Sequence, residues 1–410
     1  MRTRMQQSVG TPVTDRRRRR RRRWPIVALA VVVVLAGVFY LGGGWYFSGR
    51  LYQQGLSGAA KRAARPTYDL SVTAVTSGTV TLRVPTDPDQ LLTPGVWGLQ
   101  WPTGYGQVTR IVARGQATVT RAFHQLTGAP LVAGARVALD NKAFPQNPHV
   151  GLGIGFHDVT YRGPLGSYPA WLIPGSGDTW AVVVHGNAMD RLDTIKVVPA
   201  LHRLGLPVLM ISYRNDAGAP SDPSGMLRYG LTEWRDLAAA VQYALARGAR
   251  RLLLVGYSMG GAIVVSFLEH SPLATRVAGV ILDSPMTDFS RAVDHGASRQ
   301  RLPLVGLPLP QSLTDVAKWI AGWRYGVDWR SLDYLRGVTK LQAPILLFQG
   351  TADRTVPATT SDELARLARG VTYVRVAGAD HLDSWNLEPA RYDRAVQAFV
   401  ETVLKTSAAA

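Results

Sequence analysis

The longest uninterrupted pattern in the chain is apolar: no side chain from Trp24 to Phe47 is charged, and the centre runs from Ile26 through Val31-Val32-Val33-Val34 to Leu35. About 20 such residues, at a rise of roughly 1.5 Å each, cross a hydrocarbon layer of about 30 Å, so the pattern predicts a transmembrane helix over 24–47. Trp24, Tyr40, Trp45, Tyr46 and Phe47 stand near its two ends, where amphipathic rings favour the interface. Residues 48–65 show no apolar periodicity and read as a short stalk. Over 66–150 short β-type runs, Tyr68 to Val75 and Thr79 to Val84 among them, are separated by Gly, Pro and Asp turns, which predicts a small β-rich accessory domain. We read it as a spacer or packing partner, with substrate gating or partner binding as the functional alternative.

From about 156 to 404 short β-branched runs alternate with longer amphipathic ones, the mark of a parallel sheet with crossover helices. The expected strands are His157 to Tyr161, Pro169 to Ile173, Trp180 to Val184, Val208 to Ser212, Leu252 to Val255, Val280 to Asp283, Ile345 to Phe348 and Thr372 to Val376. Expected helices include Leu231 to Arg247 and Gly260 to Leu268. About 288–334, with Pro303, Pro308, Pro310, Trp319, Trp323 and Trp329, the alternation breaks, which predicts a cap inserted over the site.

Charge changes the picture at one end only. The formal net charge is +18, yet ten arginines (Arg2, Arg4 and Arg16 through Arg23) face the single acid Asp15 within residues 1–23. Half of the excess is therefore a local block, and such blocks are disordered and self-repelling. Directly before an apolar span it reads as a positive-inside signal, with a cytoplasmic tail over 1–23 and everything after about 48 outside the cell membrane, and not as a nucleic-acid arm. A cleaved signal peptide is the competing reading, because Ser57-Gly58-Ala59-Ala60 offers small residues, but the apolar run exceeds the usual length of such segments. The chain has no cysteine, which excludes disulfides, thiolate metal sites and a cysteine nucleophile.

The chemistry sits where a strand meets a helix. Leu252-Leu253-Leu254-Val255 runs into Gly256-Tyr257-Ser258-Met259-Gly260-Gly261 and then a helical pattern. G-x-S-x-G in that context is a nucleophile elbow, a turn so sharp that Ser258 is exposed in a strained conformation while glycines allow the close approach. A serine hydroxyl needs a base. Of His270, His295 and His381, the last lies just past the final expected strand, where a loop reaches the elbow, and is the expected base. Asp353, after Ile345-Leu346-Leu347-Phe348, is the expected acid that orients it, with Asp283 in reserve. Asp380 and Asp383 read as solvated or capping. The oxyanion hole is expected from the N–H groups of Met259 and of Asn187 in His185-Gly186-Asn187-Ala188, with His185 in a structural hydrogen-bonding role.

With His185-Gly186-Asn187, Ser212-Tyr213-Arg214-Asn215, the serine elbow, Gly350-Thr351-Ala352-Asp353 with Val356-Pro357, and Asp380-His381 in view, residues 156–404 resemble the α/β-hydrolase superfamily, and within it the Bem46-like and dipeptidyl-aminopeptidase-like branch. The resemblance implies an α/β-hydrolase fold, with an eight-stranded, mostly parallel sheet flanked by helices and a small cap. It also implies hydrolysis of ester, thioester or amide bonds with no cofactor and no metal. Where that branch is often glycine-rich, this chain has Asn215-Asp216-Ala217-Gly218-Ala219-Pro220-Ser221. Serine at the elbow argues against dehalogenase and epoxide-hydrolase chemistry.

The expected function is a membrane-anchored serine hydrolase acting on a carboxylic ester, small or lipid-like, through an acyl-enzyme. Peptidase action and acyl transfer use the same triad and stay open. So does a binding module at the membrane, although no member of the triad is missing. The sequence carries no signal for oligomeric state.

Overall fold

The computed structural model describes residues 15–58, 66–85, 89–302 and 306–409. Residues 1–14 of the expected basic tail, 59–65 of the expected stalk and Pro303 of the expected cap lie outside these. The N-terminal apolar run is helical from α1 (Asp15–Gly37) through a π-helical Val38–Gly42 into α2 (Gly43–Leu51) and a second π-helical turn, Tyr52–Leu56. Within it Trp24–Leu56, 33 residues, is long and apolar enough to cross a membrane.

The structure differs here from the open stalk expected after residue 47. The helix continues to Leu56, which is buried, and Ser57 pairs antiparallel with Met226. Leu227 N–H donates to the Leu56 carbonyl at 2.7 Å and Gly58 N–H to that of Gly225 at 3.0 Å. Small residues make the docking possible. A Cβ on Gly44 would stand 2.7 Å from Val316 Cγ1, so the backbone there approaches its neighbour as closely as backbones do in glycine-mediated helix pairs. Contacts through glycine leave no apolar periodicity to read.

Next come β1 (Leu70–Thr76), β2 (Thr79–Arg83), β3 (Trp97–Trp101), β4 (Gly104–Arg114), β5 (Thr118–Gly128) and β6 (Arg136–Asp140), which close into a barrel in the order β1-β2-β5-β4-β3-β6. Alternate residues point inward, so Val80, Leu82, Leu99, Val108, Val119 and Val137 fill the interior. Closure also removes the free edges on which strands aggregate.

The eight strands expected beyond residue 156 form one sheet: β7 (His157–Gly163), β8 (Gly166–Ile173), β9 (Thr179–Val184), β10 (Val208–Ile211), β11 (Arg251–Tyr257), β12 (Val277–Asp283), β13 (Ile345–Gly350) and β14 (Val371–Val376). Their order is β14-β13-β12-β11-β9-β10-β8-β7. Only β8 runs antiparallel to its neighbours, β7 and β10; the other pairs are parallel. Central strands such as β9 are buried throughout, as strands covered on both faces must be.

The helices beyond the barrel are α3 (Pro148–Leu152), α4 (Val198–Arg203), α5 (Trp234–Ala246), α6 (Met259–His270), α7 (Phe289–Ala297), α8 (Gln311–Tyr325), α9 (Ala358–Leu367), α10 (Ser384–Leu387) and α11 (Pro389–Ala409). One core, with Leu237 of α5, Ile263 of α6 and Leu364 of α9, lies on one face of the sheet. A second, with Leu201 of α4 and Val396 of α11, lies on the other. α7 and α8 fall in the segment expected as a cap.

Candidate active site

Parallel strands send their carboxyl ends to one edge, and the candidate residues follow four of them: Asn187 after β9, Ser258 after β11, Asp353 after β13 and His381 after β14. Ser258 has φ 50° and ψ −117°, a conformation costly for any residue with a Cβ, between the last residue of β11 and the first of α6. The turn is tight enough that a Cβ on Gly260 would lie 2.2 Å from the Val184 carbonyl oxygen. The strain is held by backbone bonds on both sides: Ser258 N–H donates to the Asp283 carbonyl at 3.0 Å, while the Ser258 carbonyl accepts from Gly261 and Met286, each at 2.9 Å.

The structure brings the three candidates together. Ser258 Oγ lies 2.9 Å from His381 Nε2, and His381 Nδ1 lies 2.9 Å from Asp353 Oδ2. Ser258 and Asp353 are buried, while His381 keeps 18% of its side chain exposed, facing the cleft. Asp353 Oδ2 also accepts from Gln349 Nε2 at 2.9 Å, and Oδ1 accepts from the N–H groups of Thr355 and Val356 at 2.8 Å each. Burial alone would raise this carboxyl, but the hydrogen bond and charge of His381 together with those two N–H groups hold it below the usual carboxylate range. It is a stable anion at the end of the chain of bonds.

Around the triad lie groups that sequence reasoning did not find. Gln349 is itself oriented by Ser361, whose hydroxyl donates to Gln349 Oε1 at 2.7 Å. His295 of α7 donates through Nε2 to the Asp353 carbonyl at 2.9 Å, tying the cap to the acid's loop. Gln349 directly precedes the Asp353 motif, four residues from its partner, but Ser361 and His295 lie 12 and 58 residues from theirs, outside any motif. Asp283, the reserve acid, is buried beside Ser284 at 3.3 Å, and the carboxylate hydrogen-bonded to His381 is that of Asp353. Asp380 accepts from the backbone N–H groups of His381 and Arg354 and from the Arg354 guanidinium. Asp383, expected to be solvated or capping, stands just before α10 but is buried and makes no side-chain cap bond; Asn141 Nδ2 donates to it at 3.1 Å, and burial pushes it up to about 6.

Met259 begins α6 directly after Ser258, so its N–H has no acceptor within the helix. Asn187 sits in the loop after β9, and its side-chain amide donates to Tyr229 Oη at 3.3 Å. His185 is turned away into the protein, 2.8 Å from Asp216 Oδ2 and stacked on Tyr213 with ring centroids 4.6 Å apart. Tyr213 Oη in turn donates to the carbonyls of His185 and Gly186, each at 3.1 Å. The loop is thereby fixed from below. Asn187, Ser258 and His381 all line one cleft of about 480 Å³.

Residues 172–395 match the alpha/beta hydrolase family, and residues 71–140 match a domain of unknown function. An uncharacterized protein of Mycobacterium tuberculosis, Rv2307c, is 32% identical over 221 residues, covering 52% of this chain and 67% of its own length. YfhR of Salmonella typhimurium, also uncharacterized, is 25% identical over 291 residues, 66% of this chain and 90% of its own. Among solved structures, the Pyrococcus furiosus esterase Pf2001 is 17% identical with a TM-score of 0.49, covering 63% of this chain and 96% of that one.

Proposed function

The chain belongs to the alpha/beta hydrolase family, and from that premise we propose that it is a serine hydrolase cleaving a carboxylic ester through an acyl-enzyme. The observation that carries this reading is the continuous line of hydrogen-bonding distances, 2.9 Å from Ser258 Oγ to His381 Nε2 and 2.9 Å from His381 Nδ1 to Asp353 Oδ2. His381 takes the serine proton as Oγ attacks the ester carbonyl, and Asp353 stabilises the imidazolium without taking the proton. The N–H groups of Met259 and Asn187 hold the oxyanion, each worth about 3 kcal/mol of barrier. His381 then protonates the departing alkoxide, leaving an acyl ester on Ser258. Water attacks that ester, again giving its proton to His381, and the acid leaves as Ser258 is restored. Ester and water become acid and alcohol.

In the same reading the apolar helix is an uncleaved anchor in the cell membrane, with the basic tail in the cytoplasm and the catalytic body outside. Support comes from its docking: cleavage near Ser57 would remove Leu56 from the core and strip residues 43–56 from the catalytic body.

A fluorophosphonate probe on the full chain in detergent micelles tests the reading. The parent is expected to take the label, while Ser258→Ala and His381→Ala, shown to be folded by circular dichroism, do not. A folded parent that stays unlabelled sinks the proposal and leaves the binding-module reading in its place.

A further inference from the structure

The cleft over Ser258 has a wall that the triad does not require. Opposite Phe289 and Ala317 of the cap, it is lined by Phe47, Leu51 and Gly55 of the N-terminal helix. Its volume of about 480 Å³ suits a ligand of small-molecule size. If residues 24–43 cross about 30 Å of hydrocarbon, Phe47 stands only about 6 Å, one helical turn, beyond the boundary. The wall of the cleft therefore starts at the membrane surface.

α8 stands at the same level as the N-terminal helix. It runs beside the N-terminal helix in the same direction, with Tyr40 Oη 3.1 Å from Ser312 Oγ, the Trp45 and Trp323 rings 6.5 Å apart and Tyr52 stacked on Tyr325 at 4.6 Å. The first turn of α8 is thus level with Tyr40, inside the apolar span. Leu307, Trp319 and Trp323, which lie just before and along α8, are 61%, 68% and 73% exposed. Exposed tryptophans at that height match the aromatic belt of a membrane interface. The helix also reaches the chemistry, because Tyr229 Oη donates to the Gly55 carbonyl at 2.7 Å while accepting from the side chain of Asn187 at 3.3 Å.

We propose that the substrate is a membrane-resident acyl ester that enters the cleft from the bilayer, its acyl chain lying between Phe47 and Leu51 on one side and the α7–α8 surface on the other. This inference rests on the serine-hydrolase reading above. The bilayer supplies the substrate laterally, and Phe47 and Leu51 carry apolar surface from the hydrocarbon layer toward Ser258, with Arg50 and Gln54 of the same helix lining the cleft beside them.

The test uses the full chain in phosphatidylcholine vesicles. Hydrolysis of 4-methylumbelliferyl palmitate in the bilayer is compared with that of the water-soluble acetate, both per fluorophosphonate-titrated site so that misfolded protein drops out. The parent is expected to prefer the palmitate. Phe47→Arg, which puts a charge against the acyl chain, is expected to lower the palmitate-to-acetate ratio about ten-fold or more, and Phe47→Leu to keep it within about two-fold. Should the arginine variant not accumulate, Phe47→Ser carries the same comparison with about a three-fold drop. A parent that cleaves acetate but not the embedded palmitate, or an arginine or serine variant at Phe47 with the parental ratio, overturns the bilayer route and leaves the serine hydrolase standing. A parent that takes no label and cleaves neither ester overturns both.

Discussion

Burial raises both carboxyls buried near His381, yet they end on opposite sides of the usual range, and the difference lies in their donors. Asp353 receives bonds from Gln349, Thr355, Val356 and His381 and is held below the usual range. Asp283 is buried with a hydroxyl neighbour, and burial, outweighing the charges of Lys196 and His381, pushes it up to about 6. The signs follow from linkage. Between about pH 4 and 6 the folded protein keeps a proton on Asp283 that the unfolded chain has released, so this residue costs stability as pH rises through that window. Asp353 does the reverse, contributing stability above about pH 4 that is lost as pH falls. Asp283→Asn is therefore expected to flatten the decline: from pH 4.5 to 7 the parent should lose about 2 kcal/mol more than the variant in denaturant unfolding. Equal slopes for the two would remove Asp283 as the cause.

At the scale of elements, the loop that carries His381 is braced by the barrel through Lys196. Its buried ammonium donates to the carbonyls of Asn141 at 3.0 Å and Leu382 at 3.2 Å and to Asn386 Oδ1 at 2.8 Å, and Asn386 Nδ2 donates to the Val96 carbonyl at 2.7 Å. Barrel, lysine and histidine loop form one joint. Lys196→Met keeps the bulk but takes the donor from the Leu382 carbonyl and Asn386 Oδ1, while the Asn141 carbonyl still accepts from Asn386 Nδ2, for an expected loss of about 2–4 kcal/mol and a lower kcat with little change in KM. Thermal unfolding and ester kinetics check both. None of this joint is legible in the sequence. A lysine at 196 looks like a surface charge, and Asp383, expected to be solvated or capping, has its partner Asn141 242 residues away, where no local pattern reveals it. The strands were legible for the opposite reason: Thr179–Val184 and Ile345–Gly350 are buried on both faces, so their residues are apolar without alternation. The elbow was legible because its backbone tolerates only glycine at 260.

The whole molecule departs most from its linear reading at the N-terminal helix. An anchor followed by a stalk predicts a catalytic body that survives alone. Instead Leu56 is buried in the core, and Phe47 and Leu51 line the cleft. A fragment beginning at Pro66 is expected to label with fluorophosphonate about ten-fold more slowly than the full chain in micelles, or to aggregate through the uncovered apolar surface. Labelling at the full rate would mean that the helix is dispensable to the site. The sequence disguised this role because an apolar run reads the same whether it is to face lipid or protein, and Gly44 makes the contact by having no side chain.

The barrel adds a consequence in time. Its six strands are complete within residues 70–140, so a chain emerging from its N-terminus can finish this unit long before residue 381 is made. The surface that will grip Asn386 exists first, and the segment it grips comes among the last. Synthesis thus delivers Ser258 first, then Asp353 and His381 last, so under the proposed mechanism the site is incomplete until the loop after β14 has emerged.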